Sequence, residues 1–120
     1  MKHFITNRFK AFRFAFEGLY AGFRNETHLK IHLIACILVT IFGFYLQLKP
    51  FEWIAILSSC ALVISAELFN SAIEGLCNIV EPKINPKIKY IKDVCAAAVL
   101  VLSILSLIVA GIIFIPYSIN

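Results

Sequence analysis

Three long stretches without a charged side chain constrain this chain more than any other feature. No Lys, Arg, Asp or Glu occurs at residues 31–48, at residues 53–66, or after Asp93. A helix needs about 20 predominantly apolar residues to cross the hydrocarbon core of a bilayer. We therefore predict three membrane spans, at residues 31–48, 53–78 and 94–115, the second of which includes polar residues towards its end.

The composition agrees with a membrane environment. The chain of 120 residues is 61% hydrophobic and 15% charged, whereas soluble domains are about 45–50% apolar and about 25% charged. A chain this short has a high ratio of surface to volume and would need more polar surface in water, not less. These values exclude a soluble single-domain enzyme, a disordered chain and a disulfide-stapled secreted fold. We predict one all-α integral membrane domain over residues 1–120.

The distribution of basic residues predicts the orientation of the spans. Six Lys or Arg precede the first span, one lies in the first loop, four lie in the second loop and none follows the third span. Cytoplasmic loops carry the excess of Lys and Arg, so the N-terminus is expected in the cytoplasm. The first apolar run follows six basic residues, so we expect no cleavable signal peptide. The net charge of +4 fits anionic lipid, and no nucleic-acid partner is expected.

Residues 4–24 differ from the three predicted spans. Apolar side chains recur there at helical spacing, and charged side chains mark the opposite face. A helix with one apolar and one basic face is typical of the membrane interface. We therefore predict an N-terminal amphipathic surface helix. The apolar positions are Ile5, Phe9, Phe12, Phe16, Leu19, Tyr20 and Phe23.

A cluster of polar residues occurs inside the second predicted span. Glu67, Asn70, Ser71 and Glu74 follow the i, i+3, i+4, i+7 pattern that places side chains on one helix face. A charged side chain in the apolar layer costs at least about 2.5–3.5 kcal/mol, so we interpret Glu67 as functional. Glu74 lies nearer to water, where it and Glu26 could bind a hard cation through carboxylate oxygens.

Three functions fit these residues. The first is phosphoryl transfer, in which Glu26 and Glu74 would hold magnesium against phosphate oxygens; the chain lacks a P-loop and a protein-kinase signature, so it would need another scaffold. The second is a small oligomeric transporter or channel that uses Glu67 as a proton or cation site. The third is a non-catalytic membrane adaptor. Glu26, Lys92, Asp93 and the basic second loop argue against a pore, and an adaptor leaves Glu67 unexplained.

One sequence motif resembles a known family. The run Glu67-Leu-Phe-Asn70-Ser-Ala-Ile-Glu74 is followed by Lys92-Asp93 before an alanine-rich span. Together they closely resemble the signature of the prokaryotic diacylglycerol kinase family, which includes the undecaprenol kinases. The segments Asn25-Glu26 and Lys30-Ile31-His32-Leu33 also look like the corresponding part of that family. The resemblance covers nearly the whole chain.

The resemblance implies a homotrimeric kinase of the bacterial inner membrane that moves the γ-phosphate of MgATP onto the hydroxyl of diacylglycerol or undecaprenol. By position, Glu67 would be the catalytic base and Asn70 would bind the lipid substrate beside it. Glu26 and Glu74 would bind magnesium and ATP. The remaining residues that the resemblance places at ATP are Phe14, Lys83, Asn85, Lys92 and Asp93.

Three positions depart from the family's pattern. Asn78 stands where the family usually has Asp, and Phe14 stands where it often has Tyr. Asn7 lies near an expected Arg, with Arg8 next to it as a substitute. The core set of residues is intact, so the resemblance implies activity with an altered affinity for the nucleotide.

Overall fold

The computed structural model describes residues 1–120 and contains four α-helices and no β-strand. The predicted all-α architecture is therefore confirmed. The last three helices are each long and apolar enough to cross a membrane, as the uncharged stretches predicted. The helices are α1 (Lys2–Asn25), α2 (Thr27–Tyr45), α3 (Pro50–Val80) and α4 (Pro86–Ile119).

Prolines and side-chain caps set the ends of α3 and α4. Pro50 occupies the first turn of α3, where its missing N–H costs no hydrogen bond. Helix α3 ends at Val80, two residues before Pro82, which cannot continue a helix. Asn85 precedes α4, and its Oδ1 accepts a hydrogen bond of 2.9 Å from the Lys87 backbone N–H. This cap satisfies one of the free donors at the start of α4.

The turn between α2 and α3 is short and tight. Helix α2 ends at Tyr45, three residues before the end of the predicted span, because the chain reverses there. Gln47 has a φ of 56°, in the left-handed region that closes this turn. Gly43 is buried, and a Cβ built on it would lie 2.8 Å from the Trp53 ring. The absence of a side chain at Gly43 thus lets α2 approach the start of α3 closely.

Helix α3 is the centre of the bundle, with α2 and α4 packed against it. A small core of Leu48, Ile56 and Ile113 lies at the end of the bundle where α2 turns into α3. Halfway along, small residues bring α3 and α4 together, and Ser106 Oγ donates a hydrogen bond to the Ser59 carbonyl at 3.5 Å. Small residues at such contacts let helix backbones pack without a hydrophobic driving force between them.

Most side chains of the chain are not buried by the chain itself. Only 10 of the 120 residues are buried, and many large apolar side chains point outward from α2, α3 and α4. In water this surface would be a large aggregation hazard. Lipid tails are as apolar as these side chains, so the same surface is stable in a bilayer.

Helix α1 is attached to the bundle only near its C-terminal end. Its half-buried residues are Leu19, Gly22 and Phe23, and the side chains before them are exposed. A Cβ on Gly22 would lie 3.0 Å from Leu68 and 3.1 Å from Leu29, so this turn packs tightly on α3 and α2. The molecule measures 54 × 48 × 22 Å. The bundle of α2, α3 and α4 accounts for one of the two long dimensions. Helix α1 is about 36 Å long and accounts for the other, because it extends away from the side of the bundle.

Candidate active site

Glu67 is the deepest carboxylate in the chain. It lies on α3 with a side chain that is only 7% exposed, and its Oε2 lies 3.9 Å from Nε2 of His32 on α2. That separation is within ion-pair range but too long for a hydrogen bond. No Lys or Arg lies within ion-pair distance of Glu67. Histidine is therefore the one basic side chain beside this carboxylate.

Asn70 is also buried, but it faces another part of the bundle. Its side chain lines a cleft of about 320 Å³ between α3 and α4, together with Cys95 and Ala98. Its Oδ1 is buried and has no hydrogen-bond partner in the chain. An unpaired buried acceptor costs about 1–3 kcal/mol. The Asn70 carbonyl is therefore free to accept a hydrogen bond from a group outside this chain.

Glu26 and Glu74 are half-buried and have uncommitted carboxylates. Glu26 lies at the junction of α1 and α2, where only its backbone is hydrogen-bonded, to Gly22 and Lys30. Glu74 lies seven residues beyond Glu67 on α3, about 10 Å along the helix axis. Neither side chain forms an ion pair.

The unpaired carboxylates of Glu26 and Glu74 are the residues expected to bind magnesium. No group of three or more His, Cys, Asp or Glu side chains is gathered in the chain. Magnesium commonly binds through one or two carboxylates together with substrate phosphates, rather than in a cage made by the protein alone. The carboxylates of Glu26 and Glu74 have no other partner in the chain, and each is the kind of oxygen ligand that such binding uses.

Lys92 and Asp93 are adjacent in sequence but have different partners. Lys92 Nζ donates a hydrogen bond of 2.7 Å to Oδ1 of Asn78, which links α4 to α3. Asp93 is exposed and pairs with Lys89 one turn earlier on α4. Asn78 lies four residues after Glu74, and residues at that spacing share a helix face. The Lys92 ammonium group is thereby held on the side of α3 that carries Glu74.

The other residues expected at ATP lie at the same end of the bundle or on α1. Lys83 is exposed in the segment between α3 and α4, and its backbone N–H donates to Glu81 at 3.3 Å. Asn85 is half-buried and is used as the cap of α4. Phe14 is 64% exposed on α1 and lies apart from the shallow cleft between α1 and Leu68. In one copy of the chain, Phe14 is therefore largely uncovered.

Comparison with known proteins identifies the family. The model of the prokaryotic diacylglycerol kinases matches residues 13–114, which include every candidate site residue. The chain belongs to the prokaryotic diacylglycerol kinase family. The resemblance seen in the sequence motif is confirmed, and so is the expectation of a lipid kinase.

Relatives of this diacylglycerol kinase family member carry two kinase names. The undecaprenol kinase of Bacillus subtilis (strain 168) is 35% identical over 112 residues, which cover 93% of this chain and 91% of that protein. The diacylglycerol kinase of Haemophilus influenzae is 30% identical over 112 residues, or 92% and 94% of the two chains. The diacylglycerol kinase of Escherichia coli (strain K12) is 28% identical over 104 residues, or 87% and 85%.

The structure adds a residue to which the sequence assigned no role. His32 lies in the segment that resembles the family, but nothing in its spacing connects it to Glu67, which follows on another helix. The only available signal was a histidine near the start of an otherwise apolar span. In this lipid kinase, the packing of α2 on α3 brings the two side chains together.

Proposed function

We propose that this lipid kinase transfers the γ-phosphate of ATP to the hydroxyl of a membrane lipid, either undecaprenol or diacylglycerol. The observation that carries the proposal is the position of Glu67, a nearly buried carboxylate on a membrane-spanning helix with no Lys or Arg beside it. A carboxylate of this kind can accept a proton from a lipid alcohol that water does not reach. The names of the relatives support both lipid classes.

In the proposed reaction, Glu67 removes the proton from the lipid hydroxyl as its oxygen attacks the γ-phosphorus atom of ATP. The new oxygen–phosphorus bond forms, the bond between the γ-phosphorus and the bridging oxygen breaks, and ADP leaves. Phosphoryl transfer depends mainly on positioning and on neutralising charge, so a base and cationic groups suffice without a P-loop. Asn70 would bind the lipid headgroup through its free carbonyl oxygen.

The carboxylates of Glu26 and Glu74 would hold magnesium, which when bound neutralises part of the phosphate charge. Glu74 lies about 10 Å from Glu67 along α3, so the nucleotide would bind nearer to the basic end of the bundle. The other residues proposed to contact ATP are Phe14, Lys83, Asn85, Lys92 and Asp93. Lys92 is suited to this role because its partner is the neutral amide of Asn78, which leaves the ammonium charge uncompensated.

The proposed active form is a homotrimer of this single domain in the bacterial inner membrane, with the N-terminus in the cytoplasm. Three helices cannot enclose a polar site, and the exposed Ser58, Ala61, Ser65 and Ala72 give α3 a small-residue face for another copy. Such a copy would also bring Phe14 of a neighbouring chain towards the site. We propose that α1 lies in the membrane interface with its apolar face towards the lipid.

The experiment that tests the function is phosphate transfer by the purified protein in lipid. With ATP labelled at the γ-phosphate and both lipids present in equal amounts, we expect label on at least one lipid, and the ratio of products identifies the preferred acceptor. Label on neither lipid would contradict the proposal. The variant Glu67→Gln should abolish transfer, whereas Glu17→Gln, which changes an exposed carboxylate on α1, should not.

A further inference from the structure

The inference concerns the surroundings of Glu67. A carboxylate that is 7% exposed needs polar partners to hold it in one orientation. Glu67 has no hydrogen bond from any side chain, and the single basic group within ion-pair distance is His32. The His32 side chain is itself 26% exposed and lies six residues into α2, near the basic end of the bundle.

His32 also lines an open cleft of about 270 Å³ between α2, α3 and α4. The residues that line this cleft are mainly apolar. Those from α4 include Ser103 and Ser106, and none of them is charged. The other titratable groups lining the cleft are the thiols of Cys36 on α2 and Cys60 on α3. His32 is thus the only ring N–H donor at the cleft, and it stands between the cleft and Glu67.

We propose that His32 is a positioning residue for Glu67 in lipid phosphorylation. Its Nε2–H points one carboxylate oxygen, Oε2, towards α2, which leaves Oε1 free to accept the proton of the lipid hydroxyl. The separation of 3.9 Å closes to a hydrogen bond when the lipid binds, as catalytic hydrogen bonds commonly tighten on binding. This inference rests on the proposed function and names a further residue in the same site.

The choice of histidine has a physical reason. A Lys or Arg at this position would form a permanent ion pair with the carboxylate and compete with the proton that it has to accept. A neutral imidazole donates one hydrogen bond from a fixed ring and adds no charge to the apolar layer. It therefore fixes the orientation of Glu67 without neutralising it.

The test compares two substitutions of His32. Glutamine keeps an N–H donor at similar reach, and leucine removes the donor while keeping much of the volume. Misplacement of a reacting group by about 1 Å can cost roughly 10²-fold in rate, so His32→Leu should lower kcat by about 10- to 100-fold with little change in the KM for lipid. His32→Gln should recover most of that loss and keep the pH profile of kcat. His28→Leu and His28→Gln are the matched controls, since His28 is exposed one turn earlier on α2.

Several results would overturn the inference. An unchanged kcat in His32→Leu would show that Glu67 is oriented without histidine. Equal losses in His32→Gln and His32→Leu, or a flattened pH profile in His32→Gln, would show that the ring accepts a proton instead of donating a hydrogen bond. If Glu67→Gln keeps full activity, the proposed function fails instead, because the base is then wrong.

A spectroscopic measurement tests the contact without relying on activity. In protein labelled with ¹⁵N at histidine, Glu67→Gln should shift the ring resonances of His32 and leave those of His28 unchanged. Unshifted His32 resonances would overturn the inference even in a protein that phosphorylates neither lipid. Helix content and elution volume in detergent confirm that each variant is folded.

Discussion

The hydrogen bond between Lys92 and Asn78 gives the sharpest test of how the chain binds ATP. The substitution Asn78→Asp places a carboxylate where Lys92 Nζ now contacts a neutral amide oxygen at 2.7 Å. The lysine would then be held by an ion pair on α3 and would have to leave it, or share it, to contact a phosphate. We expect the KM for ATP to rise and kcat to change little.

The size of the effect follows from the geometry. Two unit charges 2.7 Å apart in water attract each other by about 1.5 kcal/mol by Coulomb's law. Asn78 is exposed, so salt and side-chain entropy reduce this to the range of about 0.2–1 kcal/mol measured for surface ion pairs. The KM for ATP should therefore rise by about 1.4- to 5-fold. The increase should be larger at low ionic strength, where screening is weaker.

The assay measures the KM for ATP at saturating lipid, at two ionic strengths. Asn120→Asp is the matched control, because it makes the same change of charge at the other end of α4, at the C-terminus. In a Lys92→Met background, Asn78→Asp should have no such effect, since the cation that it competes for is gone. A KM that stays constant or falls in Asn78→Asp at low ionic strength would refute the reasoning.

Two further predictions concern the end of the bundle where α2 turns into α3. Gly43→Ala should lower the free energy of unfolding in mixed detergent micelles by about 1–3 kcal/mol relative to the control Gly75→Ala. A Cβ at Gly43 would lie 2.8 Å from the Trp53 ring, whereas a Cβ at Gly75 would meet nothing within 4 Å. Equal stabilities of Gly43→Ala and Gly75→Ala would show that α2 can move away from Trp53 without a loss of stability. Tyr117→Phe should also lower the free energy of unfolding in this assay, because it removes the 2.6 Å hydrogen bond from Tyr117 on α4 to Glu52 on α3. If the variant is as stable as the unsubstituted protein, this hydrogen bond does not hold the two helices together.

The tertiary structure changes how the polar residues of α3 are understood. Helical periodicity places Glu67 and Asn70 on the same side of α3, and both are indeed buried. Their neighbours nevertheless differ, because Glu67 lies beside His32 on α2 whereas Asn70 lines the cleft between α3 and α4. A face defined by spacing is broad enough to contact two neighbouring helices, so spacing alone does not separate these environments.

The same limit applies to Lys92 and Asp93. The two residues are adjacent in the sequence motif and were expected to act together at ATP. Adjacent residues on a helix, however, point in directions about 100° apart. In the structure, Lys92 therefore contacts Asn78 on α3 while Asp93 stays on the surface of α4 with Lys89. The contact with Asn78 depends on how α4 is rotated against α3, which no local pattern encodes.

The sequence by itself determined that this chain is a three-span helical membrane protein and a lipid kinase of its family. The number of consecutive uncharged, apolar residues decides whether a helix can span a bilayer. A motif within one helix has the same spacing whatever packs around that helix. Only the tertiary structure decided that His32 stands beside Glu67. The physical reason is that periodicity orders side chains around one helix axis, whereas neighbours on different helices depend on close approaches such as those at Gly22 and Gly43.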